Sequence, residues 1–309
     1  MNFKGLVPPD LEKLIFSQKD IYGDIFLVGG AIRNTYIDKK VDDFDFVAAR
    51  DPIKIAKKIA DHFKGNYYVL DDKRGTARAL ILVEGRKIEV DIAQITGGSL
   101  DVDLSLRDFT MNAIALRLPI TDEIIDPLGG VSDISDRCLK PCSPTSFEMD
   151  PVRVLRAVRF INEYKLSFDP VYIEEVSRAS KNLYQISGER KRDELVNILE
   201  KTEVQCALKN LMRFGILENL FPEVALLEKI DLDNPHVPNA WVHTCQVVSY
   251  CQQLIGLFSR SANLDLTHPR IMLAFGELKK FSDNILGILE NPITSGRSRK
   301  SLFLWAAIF

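Results

Sequence analysis

Asp24-Ile25-Phe26-Leu27-Val28-Gly29-Gly30-Ala31-Ile32-Arg33-Asn34, followed by Asp42-Asp43-Phe44-Asp45-Phe46-Val47-Ala48, is the stretch whose reading decides the fold. Ile25 to Val28 is a short apolar run stopped by two glycines, the pattern of a strand entering a tight turn. Ala31 to Ile37 can open a helix. A second strand then carries carboxylates at Asp43 and Asp45. Side chains two apart on a strand share a face, so these carboxylates point the same way. Held together they repel, and a divalent cation relieves the repulsion. Oxygen ligands of this kind suit Mg²⁺ bridging to phosphates, and paired ions can hold both the attacking and the leaving oxygen in phosphoryl transfer. Paired glycines let a backbone approach phosphate closely and expose amide hydrogens to it. The plain alternative is a Gly-Gly turn beside a charged strand edge. Occurrence in this order, 13 residues apart, favours the phosphate and metal reading.

Working outward, strand and helix signals alternate. Asp51-Pro52 starts a helix through Phe63, with proline at the first helical position. Tyr67 to Leu70, Ala77 to Val83 and Lys87 to Ala93 read as strands, the last two joined by a Glu84-Gly85 hairpin. Asp91, on the last of these, is either a third carboxylate or a surface residue. From Pro151 the pattern becomes helical: 152–161, 171–183, 189–199, 204–214, 243–257 and 269–278 all carry helical spacing. The expected architecture is an α+β head, a mixed sheet with helices, followed by an all-α region. The expected parts are a head over 1–142, a helical neck and body over 143–235, and a further helical part over 236–309.

Four further segments carry chemistry. Arg107-Asp108-Phe109-Thr110-Met111-Asn112 offers Arg107 to a phosphate and Asp108 to a ribose hydroxyl, or else it caps a helix. Ile125-Asp126-Pro127-Leu128-Gly129-Gly130 reads as a hinge or a structural turn. Asp150-Pro151-Val152-Arg153 begins a helix on which Arg153, Arg156 and Arg159 recur at spacing three. Asp150 and Arg153 present acceptor and donor groups like a Watson–Crick edge, or they form an ordinary ion pair. Ser187-Gly188-Glu189-Arg190 reads as helix-start chemistry.

Composition narrows the function. The chain has 309 residues, 40 Lys plus Arg against 43 Asp plus Glu, and a net charge of −3. A globally basic nucleic-acid coat is excluded, and an RNA partner needs a local basic surface. Residues 151–215 supply one, with 12 basic and 9 acidic groups; residues 1–150 hold 20 and 25. No run of 18 apolar residues offers a membrane span. Five scattered cysteines, an odd number, read as free thiols of a reducing, cytoplasmic setting. Cys138 and Cys142 could be half a metal site, but no second half follows.

Taken in order, LVGGAIRN with DDFDF, LRDFTMNA, IDPLGG, DPVRVLRAVRF and SGERKRDEL resemble the motifs of the class II tRNA nucleotidyltransferase and bacterial poly(A) polymerase family, across 27–195. That resemblance implies a polymerase-β-type head and a helical neck and body. It implies addition of CMP and/or AMP to tRNA 3′ ends from CTP and ATP, with pyrophosphate released and no template. Carried onto this sequence, Asp43 and Asp45 would hold Mg²⁺. Gly29, Gly30, Arg33, Arg107, Asp108 and Asn112 would contact the nucleotide. Asp150 and Arg153 would pair with its base, with Arg156 and Arg159 on the same helix. Three departures stand out: Asn34 and Met149 replace acidic residues of the family pattern, and only 15 residues separate Asp91 from Arg107. The short spacing is a feature of CC-adding relatives and also occurs in HD-bearing members. Glu148 is a candidate substitute for the acid missing at Met149. Trp241-Val242-His243-Thr244 and Leu302 to Phe309 resemble the start of an HD domain, from which a truncated member of the HD-bearing branch is expected.

Overall fold

The computed structural model describes residues 3–233, 237–259, 261, 268–294 and 297–309. It divides into two units, Met1–Ser146 and Phe147–Phe309.

The first unit is built on a seven-stranded sheet: β1 (Ile25–Val28), β2 (Asp43–Ala48), β3 (Asn66–Asp71), β4 (Thr76–Val83), β5 (Arg86–Gln94), β6 (Ala115–Arg117) and β7 (Ile124–Ile125). Its spatial order is β3-β4-β5-β2-β1-β6-β7. The pair β2–β5 is parallel and the other pairs are antiparallel. The sheet is therefore mixed, as the alternating signals predict. β1 is an interior strand, between β2 and β6, and all four of its side chains are buried. In β2 the period of two sends Phe44, Phe46 and Ala48 to one face, where they are buried, and Asp43, Asp45 and Val47 to the other. Helix α1 (Pro9–Phe16) packs on a later helix, Pro52–Phe63, and between them in sequence comes α2 (Gly30–Tyr36), which packs on β1 and β2. The Pro52–Phe63 helix, α3, buries Ile55, Ala56, Ile59 and Ala60 and packs on β3, β4 and β5. The opposite face holds a small apolar cluster of Phe26, Val28, Val47, Leu104, Ala113 and Ala115. Leu104 belongs to α4 (Leu100–Ser105), and α5 (Gly130–Ser135) closes the unit.

The Glu84-Gly85 hairpin forms as read, both residues having positive φ (49° and 78°). The IDPLGG segment is a structural turn. Asp126 accepts from the amides of Gly130 (2.7 Å) and Val131 (2.9 Å) and so caps α5. A Cβ on Gly130 would overlap the carbonyl of Thr110, so only glycine fits there.

The second unit is helical: α6 (Arg153–Tyr164), α7 (Ile173–Ser180), α8 (Gly188–Lys201), α9 (Val204–Arg213), α10 (Ala240–Phe258), α11 (Pro269–Leu278), α12 (Ser282–Glu290) and α13 (Arg299–Ala306). α6 packs on α8 and α9 through Val154, Leu155, Ala157 and Val158. The parts 143–235 and 236–309, read from sequence as separate, fall in one unit from residue 147 onward, with 143–146 in the first unit. The reason is visible at Gln252 on α10. Its side chain accepts from the Val204 amide (3.1 Å) and donates to the Thr202 carbonyl (2.7 Å), fastening α10 to the α8–α9 turn. α10 also packs along α9.

Candidate active site

The register of the sheet assembles the acidic centre. Asp45 stands opposite Val28 on β1 and beside Asp91 on β5, and Asp43 stands beside Glu89. Asp43 is exposed and Asp45 half-buried. Burial, the neighbouring Asp91 and then Asp43 push the Asp45 carboxyl up to about 6, against the opposing pull of Arg107 and Arg33. Asp91 has a different occupation: Arg78 donates to both of its oxygens, at 2.7 and 2.8 Å, and also pairs with Glu89 at 2.7 Å. Asp43 and Asp45 thus remain as the pair facing outward together.

The glycine turn lies against Asp45 of this pair. Gly29 has φ of 72°, and its amide donates to the Ile114 carbonyl at 3.1 Å. A Cβ there would stand 3.4 Å from Arg107 Nη1 and 3.8 Å from Asp45 Oδ2; one on Gly30 would stand 3.6 Å from Arg33 Nη2. Strand end, glycine turn, Asp45 and two guanidinium groups therefore share one small volume. α2 begins at Gly30, so the turn also presents a helix N-terminus.

Each arginine is held by the residues around it. Arg33 is buried, and its Nη1 donates to Asn112 Oδ1 at 2.5 Å. Asn112 Nδ2 in turn donates to Asp108 Oδ1 (3.0 Å), which also accepts from the Phe109 amide (2.8 Å). Asn34, where the family pattern has an acid, accepts from Arg33 Nε (3.2 Å) and Nη2 (2.9 Å), so an amide oxygen does the bracing. Asp108 is buried within this chain of bonds. Arg107 is gripped by buried Asp103 through Nε (3.3 Å) and Nη2 (3.1 Å). Sequence reasoning passed over Asp103; its signal is an acid four residues before an arginine, straddling a helix end.

A second cluster lies in the helical unit. Asp150 opens α6: its Oδ1 accepts from the Val152 amide (3.4 Å), and its Oδ2 accepts from Arg190 Nη2 (2.6 Å). Arg190 is thus more than helix-start chemistry, although Ser187 does cap α8 by accepting from the Arg190 amide (3.4 Å). Arg153 is half-buried, one residue past Val152. Arg156 and Arg159 both reach Glu194 of α8, at 3.2 and 2.8 Å. Arg159 is buried, pairs also with Glu163 (3.3 Å) and lies over the Phe160 ring (4.3 Å to its centre). Its guanidinium thus points into the helical interior. Glu148 faces Arg178 at 3.5 Å and Met149 is half exposed. Glu148 is thereby committed elsewhere than beside Arg153.

The arrangement suits a hard divalent cation. The donors are carboxylate oxygens on one face, and their mutual repulsion is what a cation relieves. Among the described residues, no group of three or more His, Cys, Asp or Glu side chains surrounds a common point. Cys138, Cys142, Cys206, Cys245 and Cys251 are all free. No helix among the described residues is long and apolar enough to cross a membrane.

Comparison with known proteins matches residues 25–99 and 83–140 to the poly(A) polymerase head domain. Residues 165–227 match the probable RNA- and SrmB-binding site of polymerase A. These two matches, with the relatives that follow, support the class II tRNA nucleotidyltransferase and poly(A) polymerase family for this chain. It is 33% identical over 175 residues to a CC-adding tRNA nucleotidyltransferase of Geobacter sulfurreducens, covering 57% of this chain and 40% of that protein. It is 32% identical to an A-adding tRNA nucleotidyltransferase of Deinococcus radiodurans, covering 64% of this chain and 45% of that protein. The chain spans about half the length of the curated relatives it matches. In fold it is similar to a Thermotoga maritima CCA-adding enzyme complexed with tRNA-CCA, with a TM-score of 0.67 at 20% identity over 100% of this chain and 82% of that one. Proteins of this family generally use divalent metal ions.

Proposed function

We propose that this protein adds CMP and/or AMP to the 3′ end of tRNA without a template, from CTP and ATP, with Mg²⁺ as its ion and in the cytoplasm. The observation that carries the reading is Asp45 lying at the Gly29-Gly30 turn with Arg33 and Arg107 beside it, and Asp43 two residues away on the same strand face.

In this reading Asp43 and Asp45 hold the metal, without Asp91, whose oxygens are engaged by Arg78. Above pH 6 Asp45 is ionised and able to serve as a ligand. The bound ion would make the primer hydroxyl more acidic and offset the charge gathering on the phosphates. Backbone amides at the start of α2 and the guanidinium groups of Arg33 and Arg107 receive the triphosphate. Asn112 and Asp108 keep Arg33 aimed, a positioning role that the buried state of Asp108 favours over direct ribose contact. The 3′ oxygen of the RNA attacks the α-phosphorus in line; the bond to pyrophosphate breaks, and the hydroxyl proton leaves to solvent. Asp150 and Arg153 present acceptor and donor groups to the incoming base. Arg190 steadies Asp150, and Glu194 holds Arg156 and Arg159 so that they stiffen the helix bearing Arg153.

A second reading is a partial enzyme that adds CMP only. It is favoured by the compact stretch between β5 and Arg107, which is one short turn and the single helix α4. Incubation of wild-type protein with Mg²⁺ and tRNA lacking its terminal nucleotides, with labelled CTP or ATP supplied singly and together, tests both. Addition of CMP, AMP or both supports the first reading, and addition of CMP alone narrows it to the second. Retained tRNA binding with no incorporation makes the chain a binding module and removes the catalytic reading.

A further inference from the structure

We propose that Asp103 is a positioning residue for nucleotide binding, holding Arg107 over the glycine turn so that the arginine meets the triphosphate of the incoming nucleotide. The inference rests on the nucleotidyltransferase reading above and adds to it a residue outside the expected site.

The geometry is specific. Asp103 lies near the end of α4 and is buried, with 6% of its surface exposed. A buried carboxylate needs its charge and lone pairs matched. Asp103 divides the task between its two oxygens. Oδ1 accepts from the backbone amide of Thr96, just past the end of β5, at 3.0 Å. Oδ2 accepts from Arg107 Nε and Nη2 at 3.3 and 3.1 Å. The first bond ties the carboxylate to the backbone that follows the strand bearing Asp91. The second fixes two of the three guanidinium nitrogens and turns the third, Nη1, toward Gly29. Arg107 therefore reaches the acidic centre in a set orientation with respect to the sheet.

Without this grip Arg107 has a second attraction. Asp45 is close enough for the arginine to lower its pKa. An arginine released from Asp103 would swing toward that carboxylate and compete with the metal for it. The buried acid thus fixes where the guanidinium stands relative to the phosphate and to the Asp45 carboxylate. Asparagine at position 103 keeps an oxygen to accept from the Thr96 amide and removes the charge that holds Arg107. Asp103→Asn thereby separates guanidinium positioning from support of the loop.

The test measures equilibrium binding of a fluorescent nucleoside triphosphate and of the matching monophosphate to the whole protein, together with steady-state kinetics on tRNA. For Asp103→Asn the expected result is triphosphate affinity weaker by about tenfold, the size of one charge-assisted hydrogen bond. KM for the nucleotide rises accordingly, while KM for tRNA and binding of the monophosphate stay unchanged. Arg107→Gln gives a similar loss, and Asp103→Asn added to Arg107→Gln costs nothing further, because the pair acts as a unit. Additive losses, or equal weakening of monophosphate and triphosphate, overturn the inference and leave Asp103 a structural residue. Unchanged triphosphate binding in Asp103→Asn, beside wild-type protein that binds, overturns it as well. Wild-type protein that fails to bind triphosphate at all overturns the nucleotidyltransferase reading instead, and this inference with it.

Discussion

At the scale of single residues, Asp43 and Asp45 lie on one strand face but differ in surroundings. Asp43 is exposed, whereas Asp45 is pressed against Asp91 and partly shut off from water. With its carboxyl raised to about 6, the folded apo-protein prefers Asp45 protonated. The unfolded chain releases that proton near pH 4. The stability it contributes is full below pH 4, falls as pH rises through 6, and is absent above that. Asp45→Asn should therefore raise the apo-protein's melting temperature at pH 7.5, by a free energy of about 1–3 kcal/mol, and change it little at pH 4. Mg²⁺ should stabilise wild-type protein more at pH 7.5 than at pH 5, and Asp45→Asn should lose that increment. Thermal unfolding at the two pH values, with and without Mg²⁺, reads both effects. Glu194 makes a separate case. It faces two arginines while itself nearly buried. Glu194→Ala strands those charges and should cost about 3 kcal/mol in a denaturant titration, whereas substitution of exposed Glu189 should cost almost nothing.

At the scale of elements, much was legible because local chemistry agreed with the final contacts. Ile25 to Val28 ended in glycines and became an interior strand; Asp51-Pro52 opened α3; Glu84-Gly85 made the hairpin. The period-two placement of Asp43 and Asp45 was readable from strand geometry. Long-range pairing was not. Nothing in the run Arg86 to Gln94 announces that it lies parallel to β2, which is what brings Asp91 beside Asp45. β6 and β7 are three and two residues long and form only because β1 offers an edge, so no periodicity marks them. Asp150 and Arg190 are 40 residues apart and meet through the packing of α6 on α8, so the sequence shows two helix starts where the structure shows one ion pair. Asp126 read equally as hinge and turn, and its two bonds to the start of α5 decide for the turn. At this scale Gly130→Ala should drive its methyl into the Thr110 carbonyl and lower stability by roughly 1–3 kcal/mol. Gly129→Ala, where a Cβ meets nothing, should cost only the strain of its positive φ, about 1 kcal/mol. Comparing the two by chemical denaturation separates steric from conformational cost.

At the scale of the whole molecule, the net charge of −3 conceals a division of labour. Residues 1–150 are acidic and hold the carboxylate pair. Residues 151–215 are basic, and part of the arginine excess is spent internally on Glu163 and Glu194. Binding to RNA should accordingly weaken with salt less steeply than a count of basic groups suggests, since buried Arg159 displaces no counterion from a phosphate. Arg159→Gln should leave the slope of log affinity against log salt unchanged within one unit. Substitution of exposed Arg213 tests the contrast: a phosphate contact there would reduce the slope by about one. The central claim concerns the first unit: the Asp43–Asp45 pair, with Asp45 at the glycine turn, is the centre of nucleotidyl transfer. Its most direct test is incorporation of labelled CMP and AMP into tRNA lacking its 3′ end, with Mg²⁺, by wild-type protein and by Asp43→Ala. The account predicts incorporation by the wild type and a loss of at least roughly a thousandfold in the variant, with its circular dichroism and tRNA affinity retained. Equal incorporation by the two proteins, or none by the folded wild type with either nucleotide, would contradict it.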